Sequence, residues 1–256
     1  MKCHSILPLM ISEKTLLRTP VKFKNLCYIY PPSVSEIIDE DNFGIYRKLL
    51  TISQEEIEDE YVEKKMDMAN LLNPLEYILN NAYNIEGFDI IVKRAFQFFI
   101  KKEVHLLYEQ KMIVIGNVED FKKVDSVDQL KIIREEDYFD FQNAIRLSLG
   151  EDTISPPDPN EHPKIKAMKA KARYRDKIKA TSGKSGLTLS TSLISICCMG
   201  IGLNPLNIGE LSYAAIGPLI HQYQEKEKYR IDIDSLLAGA DSKKVKPKYW
   251  IRNIDD

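Results

Sequence analysis

The stretch "EEDYFDFQNAIRLSLGED", Glu135 to Asp152, has two readings, and the architecture depends on which one holds. Three acidic residues lead it, where the free N–H groups and the positive dipole end of a helix favour negative charge. Phe139, Phe141, Ile145 and Leu149 then give a broad apolar face of the kind that a helix buries inside a domain. Read instead as an isolated docking helix, it offers the small Ala144 for close backbone approach and Ser148 one turn later. A buried helix needs packed neighbours, and the flanking segments supply them.

Upstream, "VKFKNLCYIY" at 21–30 is rich in β-branched and aromatic residues and stops at Pro31-Pro32, which predicts a strand or short hairpin. Residues 33–50 read as helix, with Ile37, Ile38, Ile45 and Leu49 available for burial. "SQEE" at Ser53–Glu56 is a capping box, and "NPLE" at Asn73–Glu76 sets a capping Asn before Pro74 at the first helical position. The second of these opens a helix with Leu75, Ile78, Leu79 and Ala82 on one stripe, ending near Gly87. "FDIIVKRAFQFFIKK" follows as an apolar helix, with Ile91, Ala95, Phe98 and Phe99 expected in the core. In "VHLLYEQKMIVIGN", Val104 to Asn117, two β-prone runs flank a polar turn. That is a hairpin pattern, and it invites pairing with the 21–30 strand in one small sheet. Helix is expected to resume over "SVDQLKIIREEDYFDFQNAIRLSLG", with a break near Glu136–Tyr138. The fold class is therefore α+β: predominantly α-helical, with a small antiparallel sheet from a strand near 21–30 and a hairpin near 103–116.

Downstream the composition shifts. "GEDTISPPDPNEHPK", Gly150 to Lys164, holds four prolines and reads as a linker or extended arm. Residues 164–184 then carry nine Lys or Arg against a single Asp, while "QEEIEDEYVE" at 54–63 is strongly acidic. The final third predicts an apolar helix near 187–202, a breaker at Asn204-Pro205 and a helix from about Asn207 to Tyr229. The expected organisation is a helical domain with a small sheet over 1–150, a Pro-rich linker and basic arm over 151–186, and a C-terminal helical segment over 187–256.

Length (256 residues), 44% hydrophobic and 29% charged content and a net charge of −2 are those of an ordinary globular protein. Cys3, Cys27, Cys197 and Cys198 form no C-x-x-C pair, so neither a disulfide framework nor a zinc knuckle is expected, and a reducing compartment suits them. His4, His105, His162 and His221 show no metal-ligand spacing, and no G-x-S-x-G elbow is present. "SGKSG" at 182–186 lacks the upstream glycine of a phosphate loop, since Ile178 stands there, and reads as a turn after a basic helix. No enzyme, metal or cofactor is expected. Pro8 interrupts the apolar start, against a signal peptide, and the Ser/Thr-rich run Leu187–Leu203 reads as a buried helix rather than a membrane span.

Two binding readings stay open on the residues. Glu135–Asp152 fits the loose pattern of a ubiquitin-interacting helix, although its apolar breadth argues for burial. Lys164, Lys166, Lys169, Lys171, Arg173, Arg175, Lys177 and Lys179 could meet nucleic-acid phosphates, but they spread around a helix. The plainer reading is a solvated helix, or an arm facing the acidic 54–63 region of a neighbouring copy.

Taken in order, several segments resemble the tail assembly chaperones of long-tailed phages. "TPVKFKNLCYIYPPSVSEIID" is similar to their opening strand and turn into a helix, and "EEDYFDFQNAIRLSLG" to their acidic-led central helix. "PPDPNEHPKIKAMKAKARYRDKIK" resembles their acidic-then-basic connector, and "LNPLNIGELSYAAIGPLIHQYQEKEKYRIDIDSLLAG" followed by "KYWIRNI" their closing helix. The resemblance spans most of the chain. It implies a non-enzymatic role in the cytoplasm of a bacterial host: coating the tape measure protein so that it stays soluble until the tail tube polymerises. On this reading Phe96, Phe99, Tyr213, Ile216, Leu219 and Tyr223 are the expected client-binding residues. Lys166, Lys169, Lys171, Arg173, Arg175 and Lys177 are the expected arm contacts to the client or to other copies. Tail tube and baseplate proteins and self-association are further expected partners. The alternative is a structural tail or baseplate protein retained in the virion.

Overall fold

The computed structural model describes residues 13–116, 130–156, 158, 161–180 and 188–251. Strands β1 (Val21–Phe23) and β2 (Cys27–Ile29) pair antiparallel as a hairpin. Phe23, Cys27 and Ile29 point into the core while Tyr28 faces out, the period-two alternation of a half-buried strand. Pro31-Pro32 ends the ladder. Ser33 then caps α1 (Val34–Asp39) through a capping box with Glu36, and α2 (Phe43–Thr51) follows. The break between them turns Ile38 and Ile45 outward, so that only Ile37 and Leu49 of the four expected residues are buried.

Both capping signatures form as read. The Ser53 side chain accepts from the Glu56 N–H and Glu56 accepts from the Ser53 N–H at the start of α3 (Gln54–Glu63). Asn73 and Glu76 do the same for α4 (Pro74–Asn84), whose Leu75, Ile78, Leu79 and Ala82 are all buried. Replacing Ser53 by alanine is expected to cost about 1 kcal/mol, the usual loss for such a cap, measurable by urea unfolding.

α5 (Phe88–Ile100) is the central helix. Ala95, Phe96, Phe99 and Ile100 are buried, whereas the expected core residues Ile91 and Phe98 are partly buried at its edge. Its end leads into β3 (Val104–Leu107) and β4 (Met112–Ile115), the expected hairpin. The third strand is not the 21–30 segment, as anticipated, but β5 (Lys131–Ile133), which pairs with β4. The two sheets are therefore separate. β5 also replaces the helix expected over Lys131–Ile133, and the turn into α6 (Glu135–Ser148) falls at Arg134 rather than at Glu136–Tyr138.

α6 is a buried core helix. Tyr138, Phe141, Ile145 and the following Leu149 pack into the main core, with Phe141 stacked on Phe96 at 5.4 Å and edge-on to Phe23 at 5.5 Å. Arg134 gives α6 no side-chain cap, so Glu135, Glu136 and Asp137 offset the dipole end, and Lys24 pairs with Asp137 at 2.6 Å. Gly150 terminates the run at φ +72°, where a Cβ would lie 2.9 Å from the Ala214 Cα. Glycine is needed there for both reasons.

The linker runs back along α6, held where Asn143 exchanges two hydrogen bonds with Ile154. α7 (Pro163–Ala180) then lies against α3. α8 (Leu189–Cys198) is shorter and more exposed than the buried helix expected there: it buries Ser192 and Ile196 and leaves Ile194 66% exposed. Short 3-10 turns at Ile208–Glu210 and Tyr213–Ala215 precede α9 (Ile216–Leu237), which starts later and runs further than expected. A second, smaller apolar cluster joins Val34, Ile196, Ile208 and Ile216. No helix among the described residues is long and apolar enough to cross a membrane.

Candidate functional site

The acidic and basic stretches meet within one chain. Ala170 on α7 is fully buried, a small side chain at the contact with α3. One turn on, Arg173 Nε donates to Asp59 Oδ1 at 2.9 Å and Nη2 donates to Glu58 Oε2 at 2.9 Å, with Glu55 3.6 Å away. Glu58 and Asp59 are nearly dry, at 7% and 8% side-chain exposure. Carboxylates so placed are costly unless paired. Burial works against the Arg173 charge, but the hydrogen bonds to Glu58 and Asp59 outweigh it and hold the guanidinium above its usual value. The arm thus faces the acidic region of its own chain.

Between α3, the start of α4, α6, the linker and α7 lies a cleft of about 520 Å³. Pro74, Leu75, Phe139 and Ile154 give it apolar walls, and Lys166, Lys169 and Arg173 line it from α7. Tyr138 and Gln142, one turn apart on α6, also line it. Gln142 Nε2 donates to the Ile52 carbonyl at 2.8 Å, which fixes the orientation of the amide. Its Oε1 and the Tyr138 hydroxyl are buried and have no hydrogen-bond partner among the described residues. Each such orphan costs about 1–3 kcal/mol. Burial alone pushes the Tyr138 phenol far up, so it stays a neutral donor.

The expected client-binding residues do not come together on one surface. Phe96 and Phe99 are fully buried in the main core, which removes them as a docking face in this conformation. Tyr213 is half-buried, edge-on to Phe43 at 5.7 Å, and Ile216 belongs to the second cluster. Leu219 and Tyr223 are half-buried along the first turns of α9. Of the arm residues, Arg173 is turned inward, Lys166 lines the cleft, Lys169 pairs with Glu161, and Lys171 and Arg175 are exposed. The Lys177 side chain and the "SGKSG" segment lie outside the described residues, as do the N-terminal apolar run and Cys3.

Sequence reasoning missed the C-terminal arm. Over α9, 22 residues and about 33 Å long, only Ile216 is buried. The distal half meets the following tail, where Tyr229 lies edge-on to Tyr249 at 5.7 Å. Ile231, Leu237, Tyr249 and Ile251 are 58–82% exposed. The available signal was a change of helical face. Leu219, Ile220 and Tyr223 share one stripe, then "EKEK" at 225–228 intervenes, and Tyr229, Ile233 and Leu236 share another.

Among the described residues no group of three His, Cys, Asp or Glu is placed to hold a metal ion. Burial pushes the Cys27 thiol up to about 12, which makes it inert near neutral pH. Residues 179–255 match the family model described as the YomV second domain. This YomV-like segment begins at the end of α7 and takes in α8, the 3-10 turns, α9 and the tail. No curated protein and no solved structure matches the chain.

Proposed function

We propose that the chain is a non-enzymatic assembly factor that binds an extended helical protein, in the manner of a phage tail chaperone holding a tape measure protein in the host cytoplasm. The observation that carries this reading is the C-terminal arm: a long helix in which only Ile216 is buried among the described residues, followed by a tail, with Ile231, Leu237, Tyr249 and Ile251 turned to solvent. Apolar side chains displayed on an arm mark protein-binding surfaces more often than catalytic ones. An extended client offers matching apolar stripes, the helix-in-groove mode of recognition. The ordered resemblance of segments supplies the kind of client.

The test is co-expression with a tape measure protein encoded beside this chain, followed by affinity capture at moderate salt. The client is expected to become soluble and to co-purify only when this chain is present. Ile231→Asp together with Leu237→Asp should weaken capture by about thirtyfold, the effect of losing a hot-spot contact of ~2 kcal/mol. Unfolding stability should stay within about 0.5 kcal/mol, as for other exposed positions. Undiminished capture by that double variant sinks the arm as the client site. Finding the chain at fixed copy number in purified particles favours a structural tail component instead.

A further inference from the structure

Helix α7 pairs with an acidic helix on one side and repeats the same ingredients on the other. The buried side sets the small Ala170 and the Arg173 guanidinium against Glu55, Glu58 and Asp59, carboxylates one turn apart on α3. At about 100° per residue, Lys164, Ile165, Met168, Lys171, Ala172 and Arg175 fall within an arc of about 120° on the opposite side. All six are turned to solvent, with Met168 at 72% and Ile165 at 49% exposure. Lys164, Lys171 and Arg175 have no carboxylate partner among the described residues. Asp176, the one acidic residue of α7, stands beyond Ile165 at the edge of the arc.

We propose that this outer face docks an acidic amphipathic helix of a partner protein, as the inner face docks α3. Lys164, Met168, Lys171 and Arg175 recur at intervals of four, three and four residues, about 17 Å along the axis, the period at which a facing helix repeats its own side chains. Carboxylates at those intervals on the partner meet the three cations, and aliphatic side chains beside them cover Met168 and Ile165. Ala172 leaves room for close backbone approach, the part that Ala170 plays against α3. A nucleic-acid backbone would satisfy the cations but leave Met168 and Ile165 in water. A lipid surface asks for a broader apolar face than two side chains. The chemistry of the partner follows from this charge complementarity and from the acidic helix that α7 already holds. The face lies on a different element from the C-terminal arm, and each can bind without the other.

The experiment follows the binding of a fluorescein-labelled, alanine-based peptide to the full chain by anisotropy at low salt, the peptide being about 18 residues long so that it is helical. Its glutamates stand at i, i+4, i+7 and i+11, with leucines beside them. The controls are a peptide of the same composition with the glutamates spread around the helix, oligothymidylate, and vesicles of phosphatidylcholine and phosphatidylserine. The striped peptide should bind saturably and at least about tenfold more tightly than the spread one, because matched rows of charge fix register as well as attract. Lys171→Glu together with Arg175→Glu should weaken it at least about tenfold, since attraction becomes like-charge repulsion. The Tm of that variant should stay within about 3 °C of the parent chain, as both positions are exposed. Met168→Ala, which leaves every charge in place, should weaken binding about fivefold, a modest interface truncation. The proposal is overturned if the striped peptide does not saturate, if the spread peptide binds as tightly, or if the charge-reversed chain binds like the parent. Unchanged binding by Met168→Ala also overturns it, because the face would then be a site for charge alone. Tighter binding of oligothymidylate or of vesicles than of the striped peptide overturns it in favour of a nucleic-acid or a membrane face.

Discussion

Phe141→Ala is expected to remove about 4 kcal/mol of stability, within the range for truncating a buried Phe. The ring is fully buried, stacked on Phe96, edge-on to Phe23 and 6.1 Å from Tyr138, so its loss empties the point where α5, α6 and the first hairpin meet. Neighbouring rings held by three elements have little room to collapse, and the cavity term adds to the lost transfer energy. Phe139→Ala, two residues away and partly exposed in the cleft wall, should cost about 1 kcal/mol or less. Urea unfolding of the two variants beside the parent chain measures the difference directly. Equal costs would mean that α6 does not present the face described here, and would reopen the reading of Glu135–Asp152 as a surface docking helix.

Arg173→Ala should be the second large effect, a loss of about 3 kcal/mol. Removing one partner of a buried ion pair leaves the other charge poorly compensated, and here Glu58 and Asp59 both lose the guanidinium that hydrogen-bonds them. The loss sits at the low end of the range for such changes because α7 can lift and let Glu58 and Asp59 rewet. The discriminating measurement is a mutant cycle. In a Glu58→Gln, Asp59→Asn background the same arginine deletion should cost about 1 kcal/mol or less, because the two carboxylates it compensates are then neutral amides. Limited proteolysis supplies an independent readout: cleavage within α7 should accelerate in Arg173→Ala and return toward the parent rate in the triple variant. A cost that does not change with background would show that Arg173 acts through packing of its aliphatic stem.

How much of this was legible in the residues varies with the range of the interaction. The caps at Ser53 and Asn73 are complete within four residues, so reading their sequence is enough to place the helix starts. The apolar stripe of α4 and the 104–115 hairpin were also legible, since period and turn chemistry are local signals. β5 was not. "KII" is too short to show a period, and only the free edge of β4 makes it a strand. The separation of the two sheets is likewise a long-range fact. Phe96 and Phe99 illustrate a different limit: an aromatic pair on an apolar helix signals burial or docking equally, and burial won because α6 and the first hairpin close over them. The opposite charges of α3 and α7 were visible, but their union within one chain was not, because composition does not say which copy supplies the partner. The cleft was invisible for the same reason.

The placement of the buried side chains also bears on how the protein is born. Every buried member of the main core lies between Phe23 and Leu149, whereas Arg173, which neutralises Glu58 and Asp59, comes later in the chain. At ribosomal rates of about 5–20 residues per second, the end of the core leads that arginine out of the ribosome by roughly one to five seconds. For that interval α3 shows its acidic face without the cover of α7. A nascent body that folds first and receives its cover afterwards keeps Glu58 and Asp59 in water until α7 arrives, so the cost of drying them falls on the last step of folding.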